Sequence, residues 1–170
     1  MLTTTDIITY EEAKTIRLSK NFTLDEFLHS DIALRANISN DMPRKYLSNV
    51  QNLVTHVLQP IRDKFGRIRI TSGYRSIILS LKVGSSVTSN HNFGLAADIE
   101  PIEANVTLYE VLQYIYNELQ YKELIAEYFP HGWVHVAYQD GNNKQILKLK
   151  DNEHHYQVVQ LDTISNIYNT

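Results

Sequence analysis

The spacing of apolar residues changes once along this chain, near Gly66, and this change limits the folds available to it. From Met42 to Phe65, apolar side chains recur every three or four residues, which predicts a long amphipathic helix with a kink at Pro60. From Arg67 onward, short segments alternate or run as brief apolar stretches, which is typical of strands. Helices followed by strands predict an α+β domain, with an antiparallel sheet and helices packed on one side.

Shorter elements complete the predicted fold. Helices are expected over residues 23–29, 76–83 and 107–119, and strands over 67–71, 95–99, 124–129, 133–138, 145–150 and 156–161. The segment DGNN at residues 140–143 is typical of a hairpin turn. Residues 1–20 are expected to form a loosely attached N-terminal arm and residues 21–170 a single domain, because 170 residues fit one compact unit.

Composition excludes several classes of function. The chain has no cysteine, so neither a disulfide scaffold nor a thiolate metal site can form. A net charge of −3 gives no broad basic surface, and nucleic acid is therefore not expected as a partner. No run approaches the roughly 18 apolar residues that span a bilayer, so membrane insertion is not expected. The first residues lack the basic and apolar segments of a secretory signal, which predicts synthesis in the cytoplasm without export.

The most informative stretch reads SNHNFGLAAD and covers residues 89–98. It places His91 in a polar loop and Asp98 at the end of a strand of small residues. A carboxylate directly after Leu-Ala-Ala is costly to bury unless a cation or a hydrogen-bond donor neutralises it. Imidazole nitrogen and carboxylate oxygen are both good Zn²⁺ ligands, and a loop can turn both toward one ion.

The stretch WVHV at residues 133–136 supplies a candidate third ligand. Because side chains alternate along a strand, His135 faces opposite to the valines on either side of it. With His91 and Asp98 it would complete three protein ligands and leave the fourth tetrahedral position to water, as in catalytic zinc sites. The alternative stays open at this point, because a single strand histidine is more often a hydrogen-bonded structural residue.

Four motifs, taken in order, resemble one known family. They are SGYRS at 72–76, VGSS at 83–86, SxHxxGxAxD at 89–98 and WVHV at 133–136. The chain is similar here to the zinc D-alanyl-D-alanine carboxypeptidases and L-alanyl-D-glutamate endopeptidases, in particular to their bacteriophage-type branch. The resemblance extends from residue 21 to at least residue 138, and it implies the fold that this family shares with the Hedgehog signalling domain.

The resemblance implies roles for individual residues. The implied zinc ligands are His91, Asp98 and His135. Arg75 would polarise the scissile carbonyl or hold a substrate carboxylate, which suits a guanidinium that stays charged and donates as a fork. Ser89 and Tyr74 are candidates for substrate binding, although Ser89 would serve equally as a loop cap and Tyr74 as a buried core residue.

The general base is the next residue that such a site requires, because a carboxylate must take a proton from water and pass it to the leaving amine. Glu127 is the expected base, since LIAEY at residues 124–128 resembles the family's Leu-Ile-x-Glu-Phe stretch. The chain departs from the family pattern in a longer segment over residues 129–132. Glu100 is the alternative base, or else an exposed carboxylate. His131 is a candidate for binding the oxyanion, or else an exposed loop histidine.

The resemblance implies a zinc peptidase that cleaves peptidoglycan stem peptides with metal-activated water. The phage-type branch further implies a wall-degrading enzyme that acts at the cell wall after lysis or as part of a phage particle. Two alternatives stay open. One is a virion structural protein that keeps the fold, contacts other virion proteins and has little or no catalysis. The other is a Hedgehog-like binding module in which zinc is structural.

Overall fold

The computed structural model describes residues 6–168, and their first segment is tied to the rest of the protein. Strand β1 (Ile7–Ile8) pairs antiparallel with β2 (Met42–Pro43), and the short helices α1 (Tyr10–Ala13), α2 (Asp25–Leu28) and α3 (Asp31–Ala36) lie between them in the chain. Apolar side chains of this segment are buried in the core: Ile8, Ala13 and Leu18. The loose attachment expected for residues 1–20 is therefore wrong for residues 6–20, because this burial removes apolar surface from water. Residues 1–5 lie outside the described range, and the domain boundary at residue 20 stays a prediction.

The predicted long helix is present as a nearly continuous helical segment over residues 44–65. It consists of a 3₁₀ turn (Arg44–Tyr46), α4 (Leu47–Leu53), a π-helical turn (Val54–Leu58) and α5 (Gln59–Phe65). Pro60 has no N–H to donate to the preceding turn, and the widened turn lies directly before it, as is common where helical hydrogen bonding is interrupted. The segment ends at Gly66, whose φ of 82° is one that glycine adopts without steric cost.

The second half of the chain forms a six-stranded sheet. Its strands are β3 (Ile68–Ser72), β4 (Ala96–Pro101), β5 (Glu123–Glu127), β6 (Trp133–Ala137), β7 (Ile146–Lys150) and β8 (Tyr156–Val158). Their spatial order is β3-β4-β6-β5-β7-β8. All neighbours pair antiparallel except β5 and β7, which pair parallel. The α+β class is confirmed, with one parallel pair in a sheet that was predicted to be antiparallel.

The parallel pair explains why the hairpin predicted at residues 140–143 is wrong. Strand β6 lies between β4 and β5, so both of its edges are already paired when the chain leaves it. The next strand, β7, therefore adds to the free edge of β5. Because β6 is antiparallel to β5, a strand that reverses direction after β6 must run parallel to β5.

Helices cover one face of the sheet. The remaining helices are α6 (Ile77–Lys82), α7 (Leu108–Glu118) and α8 (Leu161–Tyr168). The predicted capping box begins α7: Thr107 Oγ1 accepts from the Glu110 amide, and the Glu110 carboxylate accepts from the Thr107 amide. Helix α7 packs on β4, β5 and β6, and α5 packs on β3. None of the helices within residues 6–168 has the length and apolar character needed to cross a bilayer.

The last predicted strand ends earlier in the structure than the sequence indicated. The strand expected over 156–161 is only three residues long, and α8, which was not predicted, follows it. The helix contacts α7 and buries Ile164. The apolar spacing of residues 161–168 therefore serves a short amphipathic helix rather than the end of a strand.

Candidate metal centre

The sheet has one apolar face and one polar face, as strand alternation requires. The side chains that face the helical core are Ala97, Ile99, Leu124, Ala126, Val134, Val136, Leu147 and Leu149. The residues between them face an open cleft with a volume of about 1100 Å³: Asp98, Glu100, Glu123, Ile125, Glu127, Trp133, His135, Lys148 and Lys150. All of these side chains except Ile125 are charged, imidazole or aromatic, so the cleft floor is mainly polar.

Register and a short turn bring the three predicted ligands together. Asp98 and His135 are direct partners in the antiparallel pairing of β4 and β6. His91 comes from a 3₁₀ turn (Asn90–Phe93) that ends at Gly94, where φ is 66°. A Cβ on Gly94 would lie 2.8 Å from Val50 Cγ2, so glycine is needed to pack this turn against α4.

One possible metal-ligating atom of each of the three side chains lies close to those of the other two. His135 Nδ1 lies 2.8 Å from Asp98 Oδ1, and His91 Nε2 lies 3.2 Å from the same oxygen and 3.1 Å from His135 Nδ1. Ligands bound tetrahedrally at 2.0–2.1 Å from zinc are separated by about 3.3 Å, so the observed spacing suits such an ion. The side chains are at most 7% exposed. Within the described residues, this group could hold a metal ion.

The backbone fixes the tautomer of His91. Its Nδ1 donates to the carbonyl oxygen of Gly73, 2.6 Å away. A carbonyl only accepts, so Nδ1 carries the proton and Nε2 presents a lone pair toward Asp98 and His135. Burial also lowers the pKa of His91, which favours the neutral ring that a metal ligand must be.

Arg75 holds the opposite side of the Asp98 carboxylate. Its Nη2 donates to Asp98 Oδ2 at 2.7 Å, and its Nε donates to Ser72 Oγ at 2.8 Å. Burial opposes ionisation of Asp98, but the neighbouring imidazoles of His91 and His135 outweigh it and lower the pKa of the carboxyl. Asp98 is therefore an ionised, oriented carboxylate whose Oδ1 faces the two histidines.

The ring of His135 faces carboxylates on both sides. Nδ1 points at Asp98, whereas Nε2 is buried, lies 3.6 Å from Glu123 Oε1 and has no hydrogen-bond partner among the described residues. Burial disfavours the charged ring, but the interactions with Asp98 and Glu123 outweigh it and raise the pKa of His135 to about 9. The interaction with His135, whose Nε2 lies 3.6 Å away, is likewise the main reason that the pKa of Glu123 falls to about 2.

The predicted base, Glu127, lies on the same face of β5. It pairs in register with Trp133 on β6, two residues before His135. Its Oε2 accepts from Lys150 Nζ at 2.8 Å, and its side chain is 8% exposed. The longer segment noted in the sequence is a tight loop that leaves the β5–β6 register intact. A Cβ on Gly132 would lie 1.9 Å from the Glu127 carbonyl oxygen, so only glycine fits there.

The other predicted site residues are placed less centrally. Ser89 and Tyr74 line the cleft, although Ser89 Oγ also caps the turn by accepting from the His91 amide, and Tyr74 is buried, which raises its pKa to about 12. Glu100 lines the cleft but is paired with Arg69. His131 is exposed in the loop before β6 and is not among the described residues that line the cleft. The roles proposed for these residues stay predictions.

Among the residues on the cleft face of strands β5 and β7, the charged side chains of Glu123, Lys148 and Lys150 were not identified from the sequence as site residues. The Glu123 carboxylate contacts His135, and the two lysines pair with Glu123 and Glu127. Strand alternation gives a signal for Glu123, because it lies four residues before Glu127 and so faces the same side. The lysines carry no such signal, since their position depends on β7 pairing with β5.

An α+β sheet with a buried His-Asp-His group on the floor of an open cleft defines a domain with a candidate metal-dependent catalytic centre. A sequence profile of the Peptidase M15 family matches residues 20–137. The chain belongs to this family, and the family expected from the motifs is confirmed. Strands β7 and β8 and helix α8 lie beyond the matched residues.

No curated protein matches the chain. A solved structure of a mutant of the vancomycin-resistance D,D-pentapeptidase VanY, from a VanB-type resistance cassette and in complex with Zn(II), is 17% identical over 76% of this chain and 79% of that chain, with a TM-score of 0.34.

Proposed function

We propose that this protein is a zinc-dependent peptidase that cleaves peptidoglycan stem peptides. The observation that carries this proposal is the buried convergence of His91 Nε2, Asp98 Oδ1 and His135 Nδ1 within 3.2 Å of one another, in a member of a peptidase family. Three protein ligands leave one tetrahedral position open, as in catalytic zinc sites. Zinc bound there would supply a nucleophilic water near neutral pH and polarise the scissile carbonyl.

Glu127 is assigned as the general base. It would take the proton of the attacking water and deliver it to the leaving amine. It is buried at the cleft floor, two register positions from the pair that contains His135, and its partner is a lysine rather than an imidazole. Lys150 contacts Oε2, so we assign Oε1 to the proton transfer.

Arg75 is assigned two tasks. It orients Asp98 through Nη2, and a guanidinium has further N–H donors, which we assign to the substrate carbonyl or to a substrate carboxylate. Ser89 and Tyr74 line the same cleft and are retained as substrate contacts. His131 is exposed outside the cleft, so we retain it as an oxyanion contact only for the substrate-bound protein.

The resemblance to the phage-type branch supports the finer part of the proposal. We infer that the enzyme degrades the bacterial wall, either at host lysis or as a component of the phage particle. Its presence in purified particles would support the second route, and its release only at lysis would support the first. Digestion of purified peptidoglycan, with identification of the products, distinguishes a D,D-carboxypeptidase from an L-alanyl-D-glutamate endopeptidase.

The test is digestion of purified peptidoglycan by the metal-analysed protein, with and without a chelator. We expect stoichiometric zinc and the release of new amino groups that stops on chelation and returns with added zinc. Mass spectrometry of the fragments identifies the bond: free D-alanine indicates a carboxypeptidase, whereas a cut after L-alanine indicates an endopeptidase. A folded protein that binds no zinc and releases no amino groups would instead favour a structural role in the virion, and one that binds zinc without releasing amino groups would favour a Hedgehog-like binding module.

A further inference from the structure

We propose that Glu123 is a positioning residue that holds the His135 ring so that Nδ1, and not Nε2, binds the metal. This inference rests on the proposed function, since it concerns the same metal centre. It begins from the two nitrogens of His135, which have very different surroundings. Nδ1 is 2.8 Å from Asp98 Oδ1 and 3.1 Å from His91 Nε2, whereas Nε2 points away from both.

A neutral imidazole that binds a metal through Nδ1 carries its proton on Nε2. In this protein that N–H is buried, and it has no hydrogen-bond partner within residues 6–168. A buried donor without an acceptor is destabilising, because it has lost its hydrogen bonds to water without replacing them. The acceptor at hand is Glu123 Oε1, 3.6 Å away, which is slightly beyond hydrogen-bond length. A small side-chain movement would close the contact and satisfy the donor.

Glu123 is itself held from two directions. Asn90 Nδ2 donates to its Oε1 at 3.2 Å, and Lys148 Nζ donates to its Oε2. Asn90 belongs to the turn that carries His91. The carboxylate is therefore fixed between the turn that supplies one ligand and the strand β7, and it faces the back of a second ligand. Carboxylates placed in this way behind a ligand histidine fix its tautomer and raise its basicity.

The neighbouring Glu127 has a different set of contacts. Both glutamates lie on the cleft face of β5, on either side of Ile125, which pairs with His135. Glu123 contacts the His135 ring, whereas Glu127 contacts Lys150. Two carboxylates on one strand thus have separate partners, and separate roles are expected: Glu123 for metal affinity and Glu127 for proton transfer.

The test compares E123Q, E123A and E127Q with the unsubstituted protein. Zinc affinity is measured on metal-free protein by competition with a chelator, so that turnover is not the readout. We expect E123A to bind zinc roughly 10–100-fold more weakly, which is the usual cost of losing such a partner. E123Q, which keeps an acceptor oxygen but not the charge, should lie between E123A and the unsubstituted protein. E127Q is the matched control and should keep its zinc affinity.

A second readout separates positioning from general loss of structure. In ¹⁵N NMR spectra of the zinc-loaded protein, we expect a protonated Nε2 and a metal-bound Nδ1 for His135, and a changed or averaged pattern in E123A. If E123A is poorly folded, E123Q gives the answer, because it is nearly isosteric. Unchanged zinc affinity and an unchanged His135 spectrum in the variants would overturn the inference while leaving the peptidase proposal intact. If the unsubstituted protein binds no zinc, both proposals fail together.

Discussion

The β4–β6 pair and the β5–β7 pair build the two sides of one cleft in different ways. In β4–β6, antiparallel register places Asp98 directly beside His135, and both strands lie within the residues that match the Peptidase M15 family. In β5–β7, a parallel pairing places two lysines beside two glutamates, and β7 lies beyond the matched residues. In the function that we propose, the first side provides the metal ligands, and the second side holds the carboxylates that orient a ligand and move protons.

Removal of a ligand from the first side should have the largest effect. We expect His91→Ala to abolish zinc-dependent hydrolysis and to weaken zinc binding severely, because two ligands cannot close a tetrahedral site. Metal analysis and peptidoglycan digestion measure both effects. His56→Ala is the matched control, since His56 lies on the helical segment and stacks on Tyr138 away from the cleft. Full activity in H91A would show that the metal centre lies elsewhere.

Replacement of the proposed base should have the next largest effect, and it should distinguish the side of the cleft that moves protons from the side that binds the metal. We expect Glu127→Gln to lower kcat about 10²–10⁴-fold, the usual contribution of a general base, while zinc stays bound. Single-turnover digestion together with metal analysis checks both parts. Glu100→Gln removes the alternative base and should have little effect, because Glu100 is paired with Arg69 on the edge strand β3. A large loss in E100Q with an active E127Q would exchange the two assignments.

The sequence allowed the metal side to be predicted and the carboxylate side only in part. Local patterns made His91, Asp98 and His135 candidate ligands, through a polar turn, the end of a strand of small residues and strand alternation, and the family resemblance implied the set. Glu127 was expected as the base from its motif, and that role stays a prediction. Lys148 and Lys150 were missed because their place depends on which sheet edge β7 joins, and that edge is set by the burial of β6 between two other strands. A local turn signal at residues 140–143 cannot report this.

The N-terminal segment and helix α8 were also predicted wrongly because their structure depends on tertiary packing, which local sequence patterns do not report. The first twenty residues have weak periodicity, yet Ile8, Ala13 and Leu18 complete the core, since their burial depends on surfaces that distant helices provide. Helix α8 similarly depends on α7, against which it packs. Short elements of this kind gain little from their own helix or strand propensity and form because tertiary packing stabilises them.

Loss of a lysine on the second side should have a smaller effect than loss of the base. We expect Lys150→Met to lower kcat by less than E127Q does, with zinc affinity preserved, because it frees the Glu127 carboxylate without removing it. Lys150 also lies about 5 Å from the rings of Tyr128 and Tyr156, so methionine keeps much of the apolar contact. Lys148→Met is the paired variant, and it should reduce zinc affinity instead through Glu123. Identical profiles for the two variants would contradict separate roles for the two lysines.

The smallest effect should appear in the pH dependence of the free energy of unfolding of the metal-free protein. The folded-state pKa of Glu123 is about 2, below its ordinary value, so its contribution is present above the ordinary value and is lost as the pH falls toward 2. The folded-state pKa of His135 is about 9, above its ordinary value, so its contribution is present below the ordinary value and is lost as the pH rises toward 9. Denaturant unfolding with excess chelator should therefore show the greatest stability between the ordinary pKa values of the two groups, 4.5 and 6.5, and a loss of stability below and above that range.

The variant E123Q sharpens this last prediction. Because E123Q has no carboxylate at this position, the decrease in the free energy of unfolding at acid pH that is due to Glu123 should disappear. The decrease at alkaline pH should begin at a lower pH, because His135 has lost one of the two carboxylates that raise its pKa. E127Q should not change the pH at which the free energy of unfolding decreases on the alkaline side, since Glu127 is paired with Lys150 and not with the imidazole. An equal shift of the alkaline decrease in both variants would mean that the two glutamates act on His135 through the overall electrostatic potential of the cleft. Separate roles for Glu123 and Glu127 would then be contradicted.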